Sequence, residues 1–154
     1  MNLSGQSVDY LKSLPFVIDS EGDFVACHAS PYRPEDWLYV LEAPEAREAQ
    51  RAMTRSIAFI GHTHFPLLHD EAGRFIPLVA GDAVKLPAGA KHIVNIGSVG
   101  QPRDGDPRAA YAIFDDAERT VHFFRVEYDV DEAARKILEA GLPEMLADRI
   151  RRGY

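Results

Sequence analysis

Two histidines separated by one residue, His62 and His64, follow an apolar run in the stretch AFIGHTHFP. Imidazole is the commonest side-chain ligand for divalent transition metals. In extended backbone, residues two apart project to the same side, so we expect both imidazoles to point one way and Thr63 the other. The spacing therefore predicts a site for one metal ion, or for two ions about 3.5–4 Å apart.

A third histidine, His28, ends another apolar run in VACHASPYRP and is followed by a loop rich in serine and proline. Loops after strand ends are where functional sites are usually built. The metal-site hypothesis therefore includes His28 together with His62 and His64. Three further histidines lie within or beside strands without a companion, and we expect them to be ordinary hydrogen-bonded side chains: His69, His92 and His122.

A glycine- and proline-rich stretch, NIGSVGQPRDGDPRAAY, follows a third apolar run. The guanidinium of Arg103 or Arg108 could hold a phosphate through two parallel hydrogen bonds. We therefore name Arg103, Asp104 and Arg108 as candidate substrate-binding residues. The alternative is a loop whose charged side chains only pair with one another.

Composition sets further limits. The 154 residues suffice for one domain with a core, and the formal charge of −7 argues against a large nucleic-acid interface. The one cysteine, Cys27, fits a reducing compartment and should face the core, opposite to His28. Neither a signal-peptide pattern nor a membrane-length apolar run is present. We expect a cytoplasmic protein that binds neither membranes nor nucleic-acid duplexes.

Short apolar runs that alternate with turns predict a mainly β domain with covering helices, in the α+β class. Paired runs predict three hairpins, with turns at residues 20–22, 71–73 and 116–119. Buried strands are predicted in SIAFIGHTH and HIVNIGS, and PEAREAQRAMTR predicts a helix that begins at Pro44.

Helical spacing replaces alternation near the C-terminus. One apolar face in DVDEAARKILEAG comprises Val130, Ala133, Ala134, Ile137 and Leu138. Asp129 is the predicted N-cap, Glu132 should reach back to it in a capping box, and Gly141 should end the helix. A second helix is predicted from Pro143, with a buried stripe of Met145, Leu146 and Ile150.

The stretches CHASPYRP, FIGHTHFP, NIGSVGQPRDGDPRAAYAIFD and YDVDEAARKILEAGLP resemble the later motifs of bacterial calcineurin-like metallophosphoesterases, in particular the phosphodiesterase-like group. The similarity runs from about Leu11 onward. The resemblance implies a β-sandwich with helices on both outer faces, an αββα arrangement. It also implies hydrolysis of a phosphomonoester or phosphodiester, a small molecule or a nucleotide, by a hydroxide that two metal ions activate.

The resemblance also implies a ligand set. Carried over by motif, His28 and His62 would bind one metal ion and His64 the other. The metals it implies are manganese, iron, zinc or nickel, and histidine ligands alone do not select among them.

Three earlier motifs of that family do not occur in this sequence: Asp-x-His, a Gly-Asp pair whose aspartate bridges the metals, and Asn-His-Asp. We therefore interpret residues 1–154 as one domain that corresponds to the C-terminal portion of a metallophosphoesterase domain, without its N-terminal half. Three neutral imidazoles cannot replace the bridging carboxylate. We expect at most one weakly bound metal ion, little or no hydrolysis by this chain alone, and no assignable catalytic residue.

A half-sandwich would expose an apolar face, which predicts self-association or a partner chain that carries the first half. Two functions remain open: a phosphoesterase whose other half is supplied elsewhere, and a non-catalytic half-domain or truncated fragment that binds a partner chain or a single metal ion. A cupin-like sugar barrel is a distant third hypothesis, because FPLL stands where its glutamate is expected after His64.

Overall fold

The computed structural model describes residues 3–20 and 22–154. These residues form four α helices and one turn of 3-10 helix, Pro34–Asp36. The helices are α1 (Gly5–Ser13), α2 (Ala43–Ala52), α3 (Val130–Glu139) and α4 (Glu144–Arg152). The strands are β1 (Val17–Asp19), β2 (Phe24–Cys27), β3 (Ile57–Ile60), β4 (Pro66–His69), β5 (Phe75–Pro77), β6 (Ala83–Lys85), β7 (His92–Ile96), β8 (Ala109–Asp115) and β9 (Thr120–Val126).

Two sheets pack face to face. The larger has the order β1-β2-β3-β7-β4-β5, in which β2, β3 and β7 are parallel and the other neighbours antiparallel. The smaller sheet, β6-β9-β8, is antiparallel throughout. The layer between them is apolar and includes Ile57, Leu68, Val94, Val121 and Phe123. The predicted β-sandwich with flanking helices is confirmed.

The three predicted hairpins form as antiparallel pairs β1–β2, β4–β5 and β8–β9. Glu21, inside the first predicted turn, lies outside the described residues. Sequence patterning did not predict α1 or β6. Helix α1 buries none of its residues and β6 has only three, so neither element shows an extended apolar period.

Helix α2 covers the outer face of the larger sheet. A capping box between Glu42 and Glu45 begins it, and the Glu42 N–H donates to Glu45 Oε2 at 2.9 Å. Its buried face packs on strands β2, β3 and β7 through Ala46, Ala49 and Met53. This apolar contact buries the outer face of the three parallel strands.

Helices α3 and α4 form a hairpin with its own small core of Ala134, Ala147 and Ile150. Asp129 caps α3 as predicted, because its carboxylate accepts from the Glu132 N–H at 2.9 Å. The return half of the predicted capping box is wrong, since the Glu132 carboxylate bonds Arg135 Nε at 2.7 Å instead. The ion pair satisfies this carboxylate on the helix surface.

Two predicted buried positions on this hairpin are exposed. Leu138 is 42% and Met145 is 55% exposed. The helices meet through small alanines, and this close contact leaves both longer side chains outside. Part of the outer face of the smaller sheet is also exposed, at Tyr111, Ile113 and Val126. In the described part of the chain, no helix is long and apolar enough to span a membrane.

Candidate metal site

The three predicted ligands lie together at one edge of the larger sheet. Because β2 and β3 are parallel neighbours, their carboxyl ends meet, and His28 directly follows the first while His62 follows the second. Nε2 of His28 lies 3.2 Å from Nδ1 of His62. The Gly61 N–H donates to the His28 carbonyl at 2.9 Å and joins the two loops.

The backbone at His62 and His64 is not extended as predicted, although both side chains line one cavity while Thr63 is buried on the other side. Both residues have left-handed φ values, 65° and 66°. The Thr63 N–H donates to the Gly61 carbonyl at 2.7 Å, which closes a three-residue turn centred on His62. The chain must reverse here, because β4 runs antiparallel to β7 and β3 runs parallel to it. Strained backbone of this kind clusters at functional sites.

Asn95 holds this turn from beneath. Its side chain is fully buried, and its Nδ2 donates to the Gly61 carbonyl at 2.7 Å and to Thr63 Oγ1 at 2.8 Å. Its Oδ1 accepts from the Gly97 N–H at 3.0 Å. Asn95 was not among the predicted site residues, although an amide inside the apolar run HIVNIG must find buried partners.

Backbone contacts orient the imidazoles. Nδ1 of His64 lies 2.7 Å from the Gln101 carbonyl, and because a carbonyl only accepts, this nitrogen carries the proton and Nε2 keeps its lone pair. Burial lowers the pKa of His64, which this hydrogen bond partly offsets. Burial likewise lowers the pKa of His62, the neighbouring His28 adds to this effect, and the nearby Trp37 backbone opposes it in part. A carbonyl on the far nitrogen is the usual partner of a metal-ligating histidine.

The donor set fits a divalent transition metal, but incompletely. Two nitrogens 3.2 Å apart suit one cation with bonds of about 2.0–2.1 Å. Within residues 3–20 and 22–154, no three histidine, cysteine, aspartate or glutamate side chains are grouped to hold one ion. The candidate metal site therefore consists of His28 and His62, and His64 lines the same cavity.

Arg103 is the predicted phosphate-binding residue nearest the histidines. Its positive charge contributes to the lowered pKa of both His62 and His64. Its Nη2 lies 3.1 Å from Gln101 Oε1. None of the ion pairs in the described ranges includes Arg103. Its guanidinium thus remains available to an anion.

Asp104 and Arg108, the other two candidates, lie in an ion-pair cluster. Arg108 Nη2 is 2.6 Å from Asp106 Oδ2, and Asp104 pairs with the guanidinium of Arg125, whose side chain is 3% exposed. Arg125 also donates to the Arg108 carbonyl at 2.9 Å. This cluster shapes the loop and leaves the two candidates with partners inside the protein.

A cavity of about 820 Å³ opens beside the histidines. Its wall is mainly apolar and includes Leu11, Leu14, Phe16, Phe59 and Val99. Cys27 packs against the core under α2 and also reaches this wall. Burial raises the pKa of its thiol to about 11, so it is protonated and a poor ligand at neutral pH.

Two aromatic side chains that the sequence analysis did not select lie against the histidines. The ring of Tyr39 stacks on His62 with centroids 4.1 Å apart and planes 19° apart. The ring of Trp37 lies 5.1 Å from His28 and 5.9 Å from His62. The available signal was the one tryptophan of the chain, nine residues after His28 in a proline-rich loop.

The expectation for two other histidines is wrong. Both ring nitrogens of His69 and Nδ1 of His92 are buried without a hydrogen-bond partner among the described residues. Burial lowers the pKa of His69 to about 4, and the nearby Val40 backbone offsets this only in part. The two side chains lie on opposite faces of the larger sheet.

Comparison with known proteins finds relatives that are longer than this chain. The uncharacterized protein MJ0912 of Methanocaldococcus jannaschii is 34% identical over 151 residues, which are 96% of this chain and 60% of that protein. A crystal structure of a metallophosphoesterase from Sphaerobacter thermophilus is 38% identical with a TM-score of 0.92, over 99% of this chain and 63% of that one.

The crystal structure of hypothetical protein PH1004 from Pyrococcus horikoshii OT3 shares the fold, with 20% identity and a TM-score of 0.72 over 97% of this chain and 55% of that one. No family model matches the chain. The chain spans about three fifths of the length of the relatives that it matches above 30% identity.

Proposed function

We propose that this chain, which belongs to the calcineurin-like metallophosphoesterase family, carries part of the site of a metal-dependent phosphoesterase. The observation that carries the proposal is the 3.2 Å approach of His28 Nε2 to His62 Nδ1 at the converging ends of two parallel strands. These two imidazoles would hold one divalent cation, and Nε2 of His64 would bind a second. The proposed substrates are phosphomonoesters or phosphodiesters of small molecules.

Each described residue then has a role that its contacts support. Divalent cations at this site would supply an activated water nucleophile and stabilise negative charge on the phosphoryl oxygens. Arg103 would bind a phosphoryl oxygen, since it lies beside the histidines and has no carboxylate partner among the described residues. Asn95 and the Gln101 carbonyl position the imidazoles, because they hold the turn and the His64 tautomer.

Charge limits what this chain does alone. Neutral imidazoles contribute no negative charge against the repulsion of two cations about 4 Å apart. We therefore propose that residues 1–154 correspond to the C-terminal portion of the family domain and bind one cation weakly. Manganese, iron, zinc and nickel are the proposed metals. Hydrolysis by the isolated chain should be slight.

Metal binding is the direct test. Calorimetric titration with Mn²⁺ should give one site at most, and His62→Ala should abolish it. His122→Ala, on the outer face of the smaller sheet, is the matched control and should bind like the wild type. Turnover of bis-p-nitrophenyl phosphate should be near background. Unchanged Mn²⁺ affinity in His62→Ala would contradict the proposed ligand set.

The second candidate function is a non-catalytic module that binds a partner chain or a second copy. A specific observation favours it: α1 buries none of its residues, and a run of large apolar side chains is exposed from α1 into β1. This run comprises Tyr10, Leu11, Leu14, Phe16 and Ile18. Exposed apolar surface of this extent marks interaction sites.

Solution association tests the second candidate. Light scattering over increasing protein concentration should show a dimer, and Phe16→Ser should shift the equilibrium toward monomer. A chain that stays monomeric excludes self-association through this surface. Hydrolysis by that monomer, lost in His62→Ala, would exclude the non-catalytic function and support the phosphoesterase.

A further inference from the structure

We propose that Trp37 forms a stacking surface for a planar aromatic group carried by the phosphoester that binds at His28 and His62. The inference rests on the proposed phosphoester function and adds its substrate class: phosphate esters with an aryl or nucleobase group near the phosphate.

The position of the indole carries the proposal. Trp37 lines the cavity beside the histidines, and its ring centroid lies 5.1 Å from that of His28 at an angle of 54°. The side chain is 50% exposed. Tryptophan is usually well buried, and here a large part of it remains available next to the polar end of the cavity. A phosphate at the histidines would bring its ester group to this ring.

The loop that carries Trp37 has a specific backbone conformation. Arg33 and Trp37 have left-handed φ values of 49° and 55°, and one turn of 3-10 helix, Pro34–Asp36, lies between them. The Asp36 N–H donates to the Arg33 carbonyl at 2.9 Å. Three residues beyond Trp37, Val40 is buried in the core under α2. Strained backbone with a core attachment holds the indole at the cavity.

Tyr39 has a different role from Trp37. Its ring already stacks on His62 at 4.1 Å, so one of its faces is occupied by a proposed metal ligand. Tyr39 is thus a positioning residue for His62. Trp37 meets His28 and His62 at interplanar angles of 54° and 61°, so neither imidazole stacks on the indole, and half of its side chain stays exposed at the cavity.

The two recognition elements are complementary. Arg103 supplies a cation for the phosphate, and Trp37 supplies an apolar π surface for the group esterified to it. Stacking of a base or an aryl ring on an aromatic side chain strengthens binding roughly tenfold or more and depends little on the identity of the ring. An aliphatic phosphoester of similar size gains no such contact.

Fluorescence tests the proposal at one residue, because Trp37 is the only tryptophan in the chain. With Mn²⁺ present, phenyl phosphate and adenosine 5′-monophosphate should quench its emission, whereas glycerol phosphate and inorganic phosphate should change it little. Calorimetry should show phenyl phosphate binding about tenfold more tightly than glycerol phosphate.

Two variants separate stacking from folding. Trp37→Leu should lose the preference for phenyl phosphate over glycerol phosphate. Tyr111→Leu, which removes an exposed ring on the outer face of the smaller sheet, should keep it. Equal affinities for phenyl and glycerol phosphate in the wild type would overturn the inference and leave the proposed function standing. If no phosphate compound binds with Mn²⁺, both are wrong.

Discussion

At the scale of single residues, one buried amide determines where two of the proposed ligands lie. Asn95 bonds the Gly61 carbonyl, the Thr63 hydroxyl and the Gly97 N–H, so all of its polar atoms have partners. These bonds connect the end of β7 to the turn after β3. A left-handed conformation at His62 is unfavourable by itself, and the network of Asn95 stabilises it.

Asn95→Ala should lower the free energy of unfolding by about 2–4 kcal/mol, because it leaves buried donors and acceptors without partners. Urea denaturation measures this loss. Thr63→Val removes only one hydroxyl of the same network and should lower it by about 1 kcal/mol. Equal stability of Asn95→Ala and the wild type would mean that the turn does not depend on the amide.

At the scale of elements, a close approach at Gly153 connects the α3–α4 hairpin to the loop that carries Arg103. The Gly105 N–H donates to the Gly153 carbonyl at 2.8 Å. A Cβ atom on Gly153 would lie 2.8 Å from backbone atoms of Asp106. Only glycine fits here, and the hairpin thereby supports the ion-pair cluster of Asp106, Arg108 and Arg125.

Gly153→Ala should therefore destabilise the protein more than Gly141→Ala. Both glycines have φ of 70°, but a Cβ on Gly141 would meet nothing within 4 Å. Gly141→Ala isolates the backbone strain of about 1–2 kcal/mol, and the steric clash should add about 1–3 kcal/mol for Gly153→Ala. Thermal or urea unfolding gives both values.

Hydrogen exchange locates the effect. Amides of residues 103–108 should exchange faster in Gly153→Ala and remain unchanged in Gly141→Ala. Similar exchange of that loop in the two variants would show that the hairpin does not support it.

At the scale of the whole molecule, a core imidazole without a hydrogen-bond partner among the described residues links stability to pH. His69 lies under α2 with its ring 4.5 Å from that of Phe75, and Glu45 and Asp70 are the acidic groups that raise its pKa slightly. Burial dominates and holds the pKa at about 4, below the ordinary value of 6.5. Between about pH 4 and pH 6.5, the imidazole is therefore protonated in the unfolded chain and neutral in the folded state.

The free energy of unfolding should fall as pH decreases from about 6.5 to about 4, by up to about 3 kcal/mol from His69. Above pH 6.5 this contribution is fully present, since both states are then neutral. Urea denaturation at a series of pH values measures the slope. His69→Phe should flatten it, while His122→Gln should retain it. An unchanged slope in His69→Phe would assign the acid sensitivity to other groups.

Local physical chemistry makes much of this protein predictable from its sequence. Alternation and turn residues determine the three hairpins, and Asp129 determines the start of α3, because each depends on neighbours a few residues away. The histidines of GHTH and CHAS were evident as candidate ligands for the same reason: residue type and strand ends are local properties.

The tertiary structure decided the geometry of the site. The contact between His28 and His62 joins residues 34 apart in sequence, and the pairing that occupies Asp104 joins it to Arg125, 21 residues away. The role of Asn95, the left-handed turn at His62 and the position of Trp37 likewise depend on distant segments. Such contacts cannot be predicted from local sequence patterns, because they form only when elements that are distant in sequence pack together.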